Sequence, residues 1–333
     1  MNNTTFSSIY SNSLQLFVEK KNTELTDVGF RALVNHISSF DSYLLSEKIT
    51  GTISIEVVNR WIGTLKNLSD GTINNYIGDI RQFLIFTNKL TGSHHYIPVN
   101  RHEEDSYIPH FFDDSEMEAI YSVVDDYPSR WNNHLPWIKA ELPMLLRIME
   151  GCGTRITEVL SLKMRDIDLQ SNVILLRRVK NDKQRIVPMA ESLSIIMCKY
   201  CKAMGVIDDP DSYIFPGRTR KTHLEYKDIS SRIKYSFDWA KIDRSNKTNG
   251  RGPCLYNFRH SFAIRSFKKL EQQGIHIDDV IPYLSIYMGH ENLNETQKYL
   301  KFSSELFPEE MGKFETVTAG IIPTEDLWEK WAL

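Results

Sequence analysis

The feature that most constrains this chain's fold is a change of hydrophobic period part-way along it. Over most of the sequence the apolar residues recur three and four positions apart, the spacing of one helical face. Val173 to Val179 and Arg185 to Met189 read instead as β-like runs, and Asn181-Asp182 between them is a hairpin signal. The expected fold class is therefore mainly α with a small antiparallel β-sheet, the sheet belonging to an α+β domain in the second part of the chain.

A length of 333 residues favours two domains over one. In the first hundred residues, Glu24 to Leu45 carries Val28, Leu33, Val34, Ile37, Phe40, Leu44 and Leu45 on one face. Ser54 suits the N-cap of a helix from Ile55 to Leu65. Asp70-Gly71 reads as a turn, and Thr72 opens a further helix through Ile77, Ile80, Phe83 and Leu84. Three or four short helices packed together are expected. Periodicity then breaks at Thr91-Gly92-Ser93-His94-His95 and Pro98, and Glu103-Glu104-Asp105 adds an acidic run. We expect a helical domain over 1–100, a linker over 101–110 with His94 and His95 solvated just before it, and a second domain over 111–333. Asp113-Asp114-Ser115-Glu116 marks the first helix start of that domain.

Further on, Leu142 to Met149 suits a buried helix interrupted by Gly151 and Gly153, and Thr154 to Leu162 resumes with Arg155 in the first turn. There a guanidinium and free backbone N–H groups would face the same way, which suits an anion. Pro253 precedes a long helix ended by Gly274. The terminal Leu327, Trp328, Trp331 and Leu333 suggest a docking segment, in cis or on another protomer.

Composition excludes several classes. No window approaches the roughly 18 apolar residues of a membrane span, and Met1-Asn2-Asn3-Thr4-Thr5 lacks the features of a secretory signal. Four cysteines in such a chain make no disulfide framework, which points to a reducing cytoplasm. Cys198-x-x-Cys201 has no second pair, so no metal site is expected. The net charge of −3 conceals a strong asymmetry. Residues 1–100 balance at zero, 101–150 carry −7, 151–300 carry +8 and 301–333 carry −4. Polyanion binding depends on the local field, so the positive stretch could serve a nucleic acid.

That stretch holds the residues suited to phosphate chemistry. Gly153-Thr154-Arg155-Ile156-Thr157-Glu158 and Tyr256-Asn257-Phe258-Arg259-His260 each supply an arginine, a permanent cation with a bidentate fork. Lys180 sits where the first β-like run meets the turn, with Lys183 as its rival. His290 follows in Met288-Gly289-His290, and Tyr299 in Thr296-Gln297-Lys298-Tyr299, nine residues later. A phenol suits reversible phosphoryl attachment, because it leaves more readily than an alkoxide.

In order and spacing these motifs resemble those of the tyrosine recombinase family, the phage-type integrases, over roughly the last two thirds of the chain. The resemblance implies a helical core-binding (SAM-like) domain before an α+β catalytic domain, the two forming a clamp around double-stranded DNA. Four protomers would join two duplexes, with directionality or DNA-bending proteins as possible further partners. Tyr299 would cut each strand to leave a 3′-phosphotyrosine and a free 5′-hydroxyl, and exchange would pass through a Holliday junction. Arg155, Arg259 and His290 would hold the phosphate, Lys180 would protonate the leaving oxygen, and Glu158 would support Arg155. No cofactor, metal or nucleotide would be needed.

Tyr256 departs from the pattern, because the family usually has a histidine three residues before the second arginine. It shares a helical face with Arg259 and can hydrogen-bond phosphate, but it is no base near neutral pH. His260 would point to another face, which leaves His290, or no group at all, as acceptor of the Tyr299 proton. The reading is a recombinase of a mobile element. The alternatives are a chromosome-dimer resolvase, a type IB topoisomerase-like enzyme and a catalytically silent DNA-binding protein on the same scaffold.

Overall fold

The computed structural model describes residues 5–102, 109–126, 135–177, 184–244, 252–290 and 292–299. Lys180, Lys183, the Asn181-Asp182 turn and the C-terminal Leu327, Trp328, Trp331 and Leu333 lie outside them. The chain divides into two compact units, residues 1–105 and 106–333. Among the described residues no helix is long and apolar enough to cross a membrane.

Among the described residues the first unit is built from four helices: α1 (Ser11–Asn22), α2 (Asp27–Ser46), α3 (Ile55–Thr64) and α4 (Asp70–Thr91). Their apolar faces close over Leu14, Phe17, Phe40, Trp61 and Phe83, all buried. The Trp61 ring meets Phe40 edge-on at 4.9 Å. The periodicity did not reveal α1. It also placed the start of α4 too late. Ser69 caps that helix by accepting from Thr72 N–H, so Asp70-Gly71 forms its first turn rather than a separate one.

His95 is not solvated as expected. It is buried, its Nδ1 accepts from Ile53 N–H at 3.0 Å, and its ring lies edge-on to Tyr10. Tyr96 N–H donates to Ile53 O, and Asn88 bonds His95 N–H and O through its side-chain amide. The segment after α4 therefore returns along its own unit, satisfying buried backbone groups as it goes.

The second unit begins with α5 (Asp114–Asp125), entered through a capping box between Asp113 and Glu116. Its centre is α6 (Ile138–Cys152), which contacts α5, α7 (Ile156–Leu160), α8 (Glu191–Met204) and α10 (Tyr256–Gln272). Leu142, Leu145, Leu146, Ile148 and Met149 of α6 are all buried, as expected of a central helix. Gly151 does not interrupt it; the helix runs on and stops at Gly153, whose φ of +59° ends it in the left-handed conformation. A Cβ there would also stand 2.3 Å from the Phe262 ring, so only glycine lets α10 approach this closely.

Among the described residues the sheet has three antiparallel strands in sequence order: β1 (Ile167–Asp168), β2 (Val173–Leu176) and β3 (Arg185–Pro188). Ile174 pairs with Val187, and both face the core. A mainly helical chain with this small sheet is the fold class the periodicity predicts. The remaining helices are α9 (Tyr226–Trp239), α11 (Ile277–Met288) and α12 (Leu293–Gln297). Cys198 and Cys201 lie on α8, where burial pushes the Cys201 thiol up to about 12.

Candidate active site

Two helix C-termini and one strand bring the charged residues together. Helix α6 ends at Gly153 and α11 ends at Gly289, whose φ is +66°. A helix leaves its last carbonyls without intrahelical partners and carries partial negative charge at that end, so both termini suit cations. Arg259, buried in the middle of the site, donates through Nη1 to Gly153 O at 2.6 Å and through Nη2 to Met288 O at 2.7 Å. Arg155 donates through Nη2 to Gly289 O at 3.0 Å. Both arginines thus converge on the turn Met288-Gly289-His290 from different helices.

Arg155 sits differently from the expectation. Helix α7 has only five residues, and Arg155 is its cap rather than part of its first turn. The Arg155 backbone N–H is not free for an anion either, because it donates to Glu158 Oε2 at 2.8 Å.

Glu158 is the hub of the ion pairs. Its carboxylate accepts from Arg155 Nη1 at 3.1 Å and, bidentately, from Arg185 Nη1 and Nη2 at 2.7 and 2.8 Å. Burial acts to raise its pKa, but the Arg185 bonds and charge, with those of Arg155, outweigh it and hold the carboxyl below its usual range. Arg185 is a site residue that the sequence reading took only as the start of a strand. It also stands against Gly289, where a Cβ would lie 2.5 Å from its Nη1. Gly289 therefore serves the backbone turn and makes room for the guanidinium.

Tyr299 lies in the turn after α12, its ring sunk among Ala263, Ile264, Phe267, Val280, Leu284 and Met288. Its hydroxyl meets His260 Nδ1 at 2.9 Å. Burial raises the phenol pKa, and Arg259 only partly offsets that rise. The Tyr256 ring is half-exposed and lies edge-on to His260 at 4.7 Å. The expectation that His260 points away from the site is therefore wrong. Tyr256 and His260 stand four residues apart on α10 and share a face, and that spacing was the available signal.

His290 is held by its neighbours rather than free. Its N–H donates to Ser285 O, and its Nδ1 lies 2.6 Å from the Oγ1 of buried Thr296. Burial and the charges of Arg259, Arg155 and Arg185 push its pKa down to about 3; burial and Arg259 push that of His260 down to about 4. Arg259 itself is lowered to about 10 by burial and by Arg155. The site therefore combines fixed cations with neutral imidazoles and a neutral phenol, a set of groups that suits an anion such as a phosphate.

The sequence model of the phage integrase family matches residues 110–305, more than half of the chain. This protein belongs to the phage integrase family. Its relatives include tyrosine recombinase XerA of Pyrococcus horikoshii, 25% identical over 64% of this chain and 65% of that protein. Tyrosine recombinase XerC of Rickettsia prowazekii is 22% identical over 86% of this chain and 90% of its own length. The chain spans slightly less than two thirds of the length of several curated relatives that it matches. Among solved structures, XerH recombinase in a post-cleavage complex with difH superposes with a TM-score of 0.66 at 18% identity, covering 89% of this chain and 82% of that one. The Tn1549 transposon integrase with transposon right end DNA gives 0.63 at 16%, covering 86% and 94%. These two likenesses establish the fold of a tyrosine recombinase.

Proposed function

We propose that this family member is an active site-specific recombinase that cuts and rejoins double-stranded DNA through a 3′-phosphotyrosine at Tyr299. The observation that carries the reading is the convergence of Arg155, Arg259 and His290 on one glycine turn, with the Tyr299 hydroxyl beside the same arginine helix. A scissile phosphodiester bound by the two guanidiniums would have its growing negative charge met by donors already in place. Tyr299 attacks phosphorus, the bond to the 5′-oxygen breaks, and Lys180 gives that oxygen a proton. Because the phosphoryl group is kept as a diester, a 5′-hydroxyl from the partner duplex can reverse the step without ATP. Two such exchanges through a Holliday junction need four protomers on two duplexes. Accessory DNA-bending or directionality proteins would choose the outcome. A mobile element is the favoured context, because Tyr256 stands where the chromosome-dimer resolvases keep a histidine.

The test uses a library of nicked duplexes of random sequence, incubated with the full chain and EDTA and then run on a denaturing gel. A protease-sensitive protein–DNA adduct, absent with Tyr299→Phe, is expected, and sequencing the captured DNA would give the site. A library that the protein binds without forming an adduct would select the silent DNA-binding protein instead. Adduct formation with Tyr299→Phe would mean a different nucleophile.

A further inference from the structure

Tyr256 deprives the cleavage step of the usual histidine before Arg259, but one turn further along the same helix stands another. His260 Nδ1 and the Tyr299 hydroxyl are 2.9 Å apart, with their rings 5.5 Å apart at 63°. We propose that His260 is the group that takes the Tyr299 proton in this protein, with Tyr256 packed against its ring in place of the missing histidine. The proposal rests on the reading of Tyr299 as nucleophile.

The geometry favours this histidine over His290. A general base must lie within hydrogen-bond reach of the proton it removes, and His260 does. The Nδ1 of His290 is already engaged with Thr296. The groups facing His260 are Tyr256 and Arg259 of its own helix, Tyr299 after α12, and His290 at the end of α11. Burial and Arg259 keep the imidazole neutral near pH 7, and in its Nε2–H tautomer Nδ1 carries the lone pair that faces the Tyr299 hydroxyl. A phosphodiester bound at Arg259 would offset that positive charge and make the imidazole more basic when the proton must move. Tyr256 presents its ring edge-on and restricts the imidazole from the solvent side.

The step balances without any further reactant. The Tyr299 proton passes to His260 Nδ1, the phenolate oxygen forms its bond to phosphorus, and the bond to the 5′-oxygen breaks as Lys180 supplies a proton. Reversal returns the His260 proton to the phenol oxygen. The phosphodiester carries one negative charge before and after.

The experiment measures single-turnover cleavage of a nicked duplex captured in the library above, made with oxygen or with sulfur at the bridging 5′ position. A thiolate leaves without needing a proton. His260→Ala is expected to slow both substrates by about 10²–10⁴-fold, while Lys180→Ala slows only the oxygen substrate. His260→Asn places an amide oxygen near the Nδ1 position but cannot take up a proton, so it should be as slow as His260→Ala. The wild-type rate should rise with pH to a plateau, and the variants' rates should rise steadily with hydroxide. Recovery of the rate in His260→Asn would make His260 a positioning residue and overturn the proposal. So would rescue of His260→Ala by sulfur, or variant rates within about threefold of wild type. Should the wild type form no adduct, or Tyr299→Phe form one, the reading of Tyr299 itself fails, a result that no His260 variant can imitate.

Discussion

Glu141 of α6 is a buried carboxyl with neither oxygen hydrogen-bonded among the described residues. Burial pushes its pKa from 4.5 up to about 8. In the unfolded chain the group loses its proton around 4.5, whereas in the fold it keeps it until about 8. Between these values the unfolded state binds fewer protons, so stability falls as pH rises through the window and levels off above it. Integrating the two titrations gives a loss of about 3–4 kcal/mol between pH 5 and pH 8. Glu141→Gln keeps the shape and removes the titration, so its stability should be flat in pH relative to the wild type. The measurement is a urea titration read by hydrogen-exchange mass spectrometry on peptides from α6, with peptides from α2 and α4 as the control. A difference between wild type and Glu141→Gln that stays constant from pH 5 to pH 8 would refute the reasoning, because the carboxylate would then be ionised in the fold beside an unseen partner.

Two further outcomes follow from the same structure. Arg185→Met leaves Glu158 buried with only Arg155 beside it and should cost about 3 kcal/mol in the urea midpoint of the 106–333 unit, while a Glu158→Met/Arg185→Met double variant recovers most of the loss; a single-variant cost near that of a surface ion pair, under about 0.5 kcal/mol, would contradict the clamp. His95 is held neutral by burial, with its Nδ1 accepting from Ile53. Its folded pKa lies below the unfolded one, so the first unit should lose stability as pH falls below about 6.5; His95→Gln should weaken that acid dependence, as read on the α2 and α4 peptides.

The sequence made some parts of this molecule legible and hid others, for physical reasons. Helices with one apolar face, such as α2 and α6, follow directly from the spacing of their leucines and isoleucines. Helix α1 is not legible because its few buried apolar residues, Leu14, Phe17 and Val18, are set among charged and polar neighbours and an exposed Leu16. Arg155, Arg259, His290 and Tyr299 stood out because their neighbours form motifs. Arg185 did not, because its task depends on a carboxylate 27 positions earlier, and sequence spacing says nothing about a contact made across a strand and a cap. The His260 expectation fails because Arg259 does not define the functional side of α10. In fact Arg259 reaches backbone carbonyls deep in the fold while the Tyr256–His260 face receives the phenol.

The charge balance of the site explains why these residues are arranged as they are. Arg155 and Arg185 share the one carboxylate of Glu158 while Arg259 bonds backbone carbonyls, so the cluster retains positive charge although most of it is buried. Unpaired buried charge is costly, and the protein limits that cost by aiming the guanidiniums at carbonyls of two helix C-termini. Those carbonyls carry no full charge and do not neutralise the cations. The Nε groups of Arg259 and Arg185 have no partner among the described residues. What remains is a preorganised deficit that one phosphodiester anion would complete. Burial and Arg259 keep His260 neutral, and burial with all three arginines keeps His290 neutral, so a proton leaving Tyr299 would meet an unprotonated imidazole rather than an imidazolium. On the proposed mechanism, binding an anion and accepting a proton would be coupled through Arg259, which touches the turn at Met288 and stands next to His260 in the chain.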